Sequence, residues 1–243
     1  MDEAELDVGR EILNDVANIP SGARAALVIR HSIRGEITTP ENEDVQLNSE
    51  GILAARRFGT RLKWASSIVA VSSQKTRCRQ TAREILDGFA SANPGIEVSL
   101  LDSHKSVAAL LHAKSNSPAI DDIVSAIHRS GSTGNYRGFG LPPSLAVSAG
   151  TIARQVISSI TNDLEGTMRD ELHLFVDHDL HLMLLRQQLF GEGYRRREWI
   201  DFLDGFVIYL LDGSVFAACH GMTVAYKTAE DSGGTTYSNG DVP

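Results

Sequence analysis

Ala25-Ala26-Leu27-Val28-Ile29-Arg30-His31-Ser32-Ile33-Arg34-Gly35 decides how the rest of the chain is read. Five apolar residues in a row, with no alternation, predict a short strand buried on both faces. The run ends abruptly in two cations that bracket a histidine. Upstream, Leu6, Ile12, Leu13, Val16 and Ile19 recur at near-helical spacing, which predicts a helix over 4–19. Pro20-Ser21-Gly22 breaks it. Downstream, a polar loop reaches Asn48. An amphipathic helix is then predicted over 49–64, with Ile52, Leu53, Phe58 and Leu62 on its apolar stripe.

The alternation repeats. Ile68-Val69-Ala70-Val71 predicts a second buried strand, followed by a helix from Thr76 to Phe89. Residues 96–101 predict a third strand. Residues 172–176 predict a fourth, with a helix through Leu189. Phe206 to Leu211, the Asp212-Gly213 turn and Val215 to Ala218 predict a hairpin. Strands alternating with helices imply an α/β fold: three layers, α/β/α, with a mostly parallel central sheet and the hairpin as an antiparallel edge. Residues 102–150 break the rhythm with helical patches and a Gly/Ser-rich stretch, and are expected to form a helical insertion, or cap, over the site. Ser144–Leu164 is expected to be helical. The expected organisation is one domain over 1–231, with a flexible tail over 232–243.

Composition narrows the function. The chain has 243 residues, 42% of them hydrophobic, enough for one sizeable core. A net charge of -8 argues against nonspecific nucleic-acid binding and against anionic membrane as a partner. Cys78 and Cys219, the two cysteines, fit neither a disulfide framework nor a thiolate zinc site. No apolar run approaches the roughly 18 residues of a membrane span, and the acidic N-terminus does not look like a signal peptide. The expected compartment is the cytoplasm. No oligomeric state follows from the pattern.

Ligands of an open parallel sheet bind at the carboxyl ends of its strands. The first predicted strand ends in Arg30, His31 and Arg34. Ser72, Ser73 and Arg77 follow the second, and His178 and Asp179 follow the fourth. Three strand ends therefore bring cations, imidazoles and an acid to one edge. Several fixed cations suit a phosphomonoester dianion, and arginine's planar fork can bond two of its oxygens. A neutral imidazole is a competent nucleophile near pH 7. An acid is needed to protonate the leaving alkoxide.

These residues also carry a resemblance. Residues 27–34 resemble the Arg-His-Gly-x-Arg signature of the histidine phosphatase superfamily, which includes phosphoglycerate mutase-like proteins and histidine acid phosphatases. Leu47-Asn48-Ser49-Glu50-Gly51, with Ala55, Gly59 and Leu62, resembles that family's first helix. Residues 72–82 resemble its second-arginine motif, and His178-Asp179 is similar to the His-Asp pair of the acid phosphatase branch. Residues 199–211 resemble a segment near the family's C-terminal end. The resemblance implies His31 as nucleophile, with Arg30, Arg34, Arg77 and His178 on the phosphate. It implies Asp179 as proton donor. Ser32 stands where glycine is usual, and Gln74-Lys75 stands where proline and a hydrophobe are common. Asp102, past the third strand, is the reserve acid.

Other readings compete. His173, Asp177, His178, Asp179 and His181 are dense in metal-ligand types, although His173 lies within a strand and His181 a turn into a helix. The expectation is a phosphatase without cofactor or required metal, acting on a small phosphorylated substrate. The alternatives are a catalytically silent phosphate- or phosphoprotein-binding module on the same fold, and a phosphotransferase or mutase. Arg79 and Arg83 are expected to be solvated, as is the Arg195–Glu198 turn. Cys78 is expected to pack a helix. His104, His112, His128 and His220 have no partner that the sequence names.

Overall fold

The computed structural model describes residues 8–36, 45–101, 143–191 and 199–227, with backbone alone over 143–148. The expected cap before residue 143, Asp102, His104, His112, His128, the Arg195–Glu198 turn and the tail lie outside these residues.

The described elements are, in order, α1 (Arg10–Ala17), β1 (Arg24–Arg30), α2 (Ser49–Arg61), β2 (Ser67–Ser72), α3 (Thr76–Ala92), β3 (Val98–Leu101), α4 (Pro143–Glu165), β4 (Glu171–Asp177), α5 (Asp179–Phe190), β5 (Gly205–Leu211), β6 (Ser214–Cys219) and β7 (Met222–Tyr226). The strands form one sheet in the order β3-β2-β4-β1-β5-β6-β7. β1 pairs in parallel with β4, and β2 pairs in parallel with β4 and β3. β5 pairs antiparallel with β1, and β6 and β7 continue antiparallel outward. β1 and β4 are thus inner strands, each paired on both sides.

The continuous apolar run of β1 has the expected cause. Ala25, Leu27 and Ile29 pack into a core shared with α1, α2 and α3. Ala26 and Val28 pack into a second core on the opposite face, under α4 and α5. Both faces of the strand exclude water, so no polar residue interrupts it. This makes the architecture three layers, α/β/α.

Two details differ from the sequence reading. The antiparallel edge has three strands rather than a hairpin, because β7 pairs with β6. Its residues alternate between half-buried and exposed, so it lacks the apolar run that marks the inner strands. The third strand begins at Val98 rather than Ile96; it borders the sheet and none of its residues is fully buried.

Candidate active site

The strand order places the ends of β1, β2 and β4 side by side. The backbone keeps the loops in register beyond the strands: His31 N–H donates to the Asp177 carbonyl at 3.0 Å, and Ser73 N–H to the Val176 carbonyl at 2.9 Å. His31 follows β1, Arg77 lies in the first turn of α3, and His178 caps α5.

His31 is buried, and its two ring nitrogens have different partners. Nδ1 lies 2.8 Å from the Ser32 carbonyl, which can only accept, so Nδ1 carries the proton. Nε2 therefore holds the lone pair, and Arg77 Nε–H donates to it at 3.1 Å. Burial pushes the His31 pKa down to about 3, reinforced by His178, Arg77 and Arg30, while the bond to Ser32 opposes the shift. The imidazole is neutral near pH 7, the form a nucleophile requires.

Arg77 bridges the two histidines. Its Nη2 reaches His178 Nδ1 at 3.3 Å. A guanidinium only donates, so Nδ1 of His178 accepts and its Nε2–H faces the Ser73 hydroxyl at 3.2 Å. Burial lowers His178 to about 4, with Arg77 and His181 adding to the shift and Asp177 and Asp179 opposing it. The rings of His31 and His178 meet edge-on, centroids 5.5 Å apart.

Arg30 is held on several sides. Nη1 donates to the Ile200 carbonyl at 2.8 Å, Nη2 pairs with Asp179 Oδ2 at 2.9 Å, and the guanidinium carbon lies 4.2 Å from the centre of the Phe202 ring. Desolvation lowers the Arg30 pKa; Asp179 opposes this, and Arg34 and Arg77 add to it. Burial and Arg77 likewise lower Arg34. The three arginines therefore share one electrostatic neighbourhood, as a dianion site requires.

Asp179 differs from a waiting acid. Its Oδ2 takes Arg30 and the Trp199 indole N–H, at 3.0 Å, and Oδ1 accepts from Leu180 N–H at 2.9 Å. All three are donors, so the carboxylate is an acceptor throughout this arrangement.

Ser32 has no left-handed backbone; it is absent from the non-glycine residues with positive φ, so it carries none of the strain a glycine substitution there can bring. The residue is fully buried. Its hydroxyl donates to the Gly51 carbonyl at 2.8 Å, and its N–H donates to Thr81 Oγ1 at 2.9 Å. The serine thus fastens the histidine loop to α2 and α3. The close approach falls to Gly51 instead, where a Cβ would collide with the Ile33 carbonyl. Asn48 caps α2 through its side chain, and Gln80 Oε1 accepts from Leu47 N–H at 2.8 Å.

Of the histidines in the metal reading, His178 and His181 stay close, ring centroids 6.0 Å apart, while His173 has a partner of its own. His173 Nε2 pairs with Glu171 at 2.8 Å, whereas His181 pairs with Asp177 at 2.9 Å. Burial disfavours the charge on Asp177, but His181 and His178 outweigh it and leave its pKa below the usual range. No group of three or more candidate ligands that could hold a metal occurs among the described residues. Cys78 is buried with its Sγ 3.7 Å from His178 Nε2. Burial pushes its thiol well up, so it is no thiolate nucleophile. Arg79 and Arg83 are exposed, as expected.

Sequence reasoning missed Phe202, the holding role of Trp199, and the backbone ties made by Thr81 and Gln80. The last two stand in the quoted second-arginine motif; their partners, 49 and 33 residues away, are not readable there.

Residues 27–103 match the model of the histidine phosphatase superfamily (branch 1). Among solved structures, the chain is similar to phosphoglycerate mutase from Bacillus anthracis str. Sterne, with 14% identity, TM-score 0.48, and coverage of 85% of this chain and 92% of that one. It is similar to phosphoserine phosphatase from Entamoeba histolytica, with 15% identity, TM-score 0.45, and coverage of 84% and 95%. It is also similar to mycobacterial glucosyl-3-phosphoglycerate phosphatase, with 14% identity, TM-score 0.45, and coverage of 78% and 95%. No curated protein matches the chain. No helix among the described residues is long and apolar enough to cross a membrane.

Proposed function

We propose, from the match of residues 27–103 to the histidine phosphatase superfamily and from the geometry of the site, that the chain hydrolyses a phosphomonoester through a phosphohistidine on His31. One observation carries the reading. The hydrogen bond from His31 Nδ1 to Ser32 directs the ring's lone pair to Nε2, on the side where Arg77 stands.

The incoming phosphate draws Arg77 from the imidazole onto one of its own oxygens, and this exposes Nε2. Arg30 and Arg34 complete the neutralisation of the dianion, and the neutral His178 ring contributes a hydrogen bond. Nε2 attacks phosphorus, the P–O bond to the alkoxide breaks, and the alkoxide takes a proton. Water then attacks the phosphohistidine, which releases phosphate and restores the ring. Positioning and charge neutralisation are what phosphoryl transfer asks of a protein.

We assign the proton to Asp179. Phosphate competes for the Arg30 guanidinium and frees the carboxylate, which takes a proton from solvent, gives it to the alkoxide and takes one back from the attacking water in the second step.

The test is acid quenching during turnover. Phosphate is expected on His31, and His31→Ala is expected to lower turnover by at least about 10³-fold while the variant stays folded at pH 7. Near-normal turnover in that variant refutes the reading. Phosphate binding without turnover, across a panel of phosphorylated metabolites and p-nitrophenyl phosphate, identifies a silent binding module instead.

A further inference from the structure

One buried cluster of titratable groups lies outside the crevice and takes no part in the proposed reaction. His220 occupies the turn between β6 and β7, with a left-handed φ of 50°. Its Nε2 lies 2.7 Å from Asp204 Oδ1, and its Nδ1 lies 3.3 Å from Glu11 Oε2. Asp15 accepts from His220 N–H at 2.6 Å and from Gly221 N–H at 2.8 Å. Burial raises the Asp15 pKa, and those two backbone bonds oppose the shift. Three separate parts of the chain meet at this histidine: α1, the turn before β5, and the β6–β7 turn.

Asp204 connects the cluster to the crevice. Its carbonyl accepts from Arg30 N–H at 2.9 Å, and Leu203 N–H donates to the Arg30 carbonyl at 3.2 Å. Phe202 lies under the Arg30 guanidinium, with its ring 5.7 Å from that of His31. The Ile200 carbonyl takes Arg30 Nη1. Residues 200–204 therefore touch both the backbone and the side chain of Arg30. Leu203 is left-handed, φ 55°, a conformation that persists in a leucine only where its surroundings impose it. At Gly205 a Cβ would collide with the Val28 carbonyl, so this turn lies directly against β1.

We propose that Asp204 and His220 are positioning residues for Arg30: their pairing anchors the 200–204 turn, and the turn sets where the guanidinium meets phosphate. The inference rests on the reading of Arg30 as a phosphate ligand. It requires that loosening the cluster weaken phosphate binding more than it slows the chemical step.

The experiment uses the full chain, p-nitrophenyl phosphate as substrate and inorganic phosphate as competitive inhibitor. Asp204→Asn and His220→Gln are expected to raise the phosphate inhibition constant about fivefold to tenfold, with kcat changed less than about threefold. In an Arg30→Ala background, His220→Gln is expected to add almost nothing, because both changes act through one contact. Glu11→Gln, where the side chain is 48% exposed, tests the link in a variant that keeps the buried pair, with an expected rise of about twofold. An unchanged inhibition constant in Glu11→Gln and in whichever buried variant folds overturns the proposal, as does full additivity with Arg30→Ala. If Arg30→Ala itself leaves phosphate inhibition unchanged, the phosphate assignment of Arg30 fails, and this inference fails with it.

Discussion

Two buried histidine sites lie on either side of Arg30, and they are built in opposite ways. His31 is packed against Arg77 and another imidazole. His220 faces Asp204 and Glu11 through its ring and Asp15 through its backbone. Burial is shared, so burial does not set the two histidines apart. The difference lies in the sign of the neighbours. Cations beside His31 favour its neutral ring and, in the proposed reaction, attract the anionic substrate. Carboxylates around His220 occupy both ring nitrogens, leaving the ring to tie elements together.

The strongest way to break this contrast is to remove the cation. Arg77→Ala is expected to lower kcat/KM by about 10²- to 10³-fold and to weaken inhibition by vanadate, a mimic of the transferring phosphoryl group. A variant that keeps wild-type kcat/KM would mean that Arg77 is not what sets His31 apart from His220.

Asp179 pairs with Arg30 at the crevice, and it tests whether a negative neighbour there takes part in chemistry. Asp179→Asn is expected to slow an alkyl phosphate about 10²-fold and p-nitrophenyl phosphate far less, since nitrophenolate barely needs a proton. Equal slowing of the two substrates would make Asp179 a holder of Arg30, and Asp102 the next acid to substitute.

Ser32 gives a smaller effect. Its hydroxyl bonds Gly51 rather than pointing at a ligand, and its backbone carries no positive φ. Ser32→Gly is expected to change the rate by no more than about tenfold, equivalent to about 1.4 kcal/mol. A wild type without activity that gains it through this substitution would show that the loop position, not the cation set, limits the site.

The last effect is read in stability rather than in rate. The folded-state pKa of His31 is lowered to about 3 and that of His178 to about 4, from an ordinary value of 6.5. Below pH 6.5 the unfolded chain therefore binds protons that the folded chain refuses. Stability is retained above pH 6.5 and is lost as pH falls from 6.5 toward 3. The melting temperature of His31→Ala should fall less steeply over that range than that of the wild type. Parallel melting profiles would contradict the neutral, buried ring.

The fold was legible where burial leaves a simple pattern. β1, β2 and β4 are apolar because both faces are covered, and each is followed by the polar residues that form the crevice. β7 was not legible, since half of its residues meet solvent and the strand reads as a weak alternation. His220 was passed over for a related reason. Its partners Asp204 and Glu11 lie 16 and 209 residues earlier in the chain, and no local spacing links them.

The amino-acid sequence by itself determined the chemical inventory and its order: arginines and a histidine after one apolar strand, a serine pair and an arginine after the next, His-Asp after another. Those choices are local, because a strand end and a helix start are specified by adjacent residues. Only the tertiary structure decided what each group faces. It turned the lone pair of His31 toward Arg77, placed Asp179 on Arg30, gave Ser32 to the Gly51 carbonyl and paired His220 with Asp204 beside Arg30. Such pairings follow from the β3-β2-β4-β1-β5 order, which brings together residues far apart in sequence, and in a buried site they determine which nitrogen keeps a lone pair and which oxygen takes a donor.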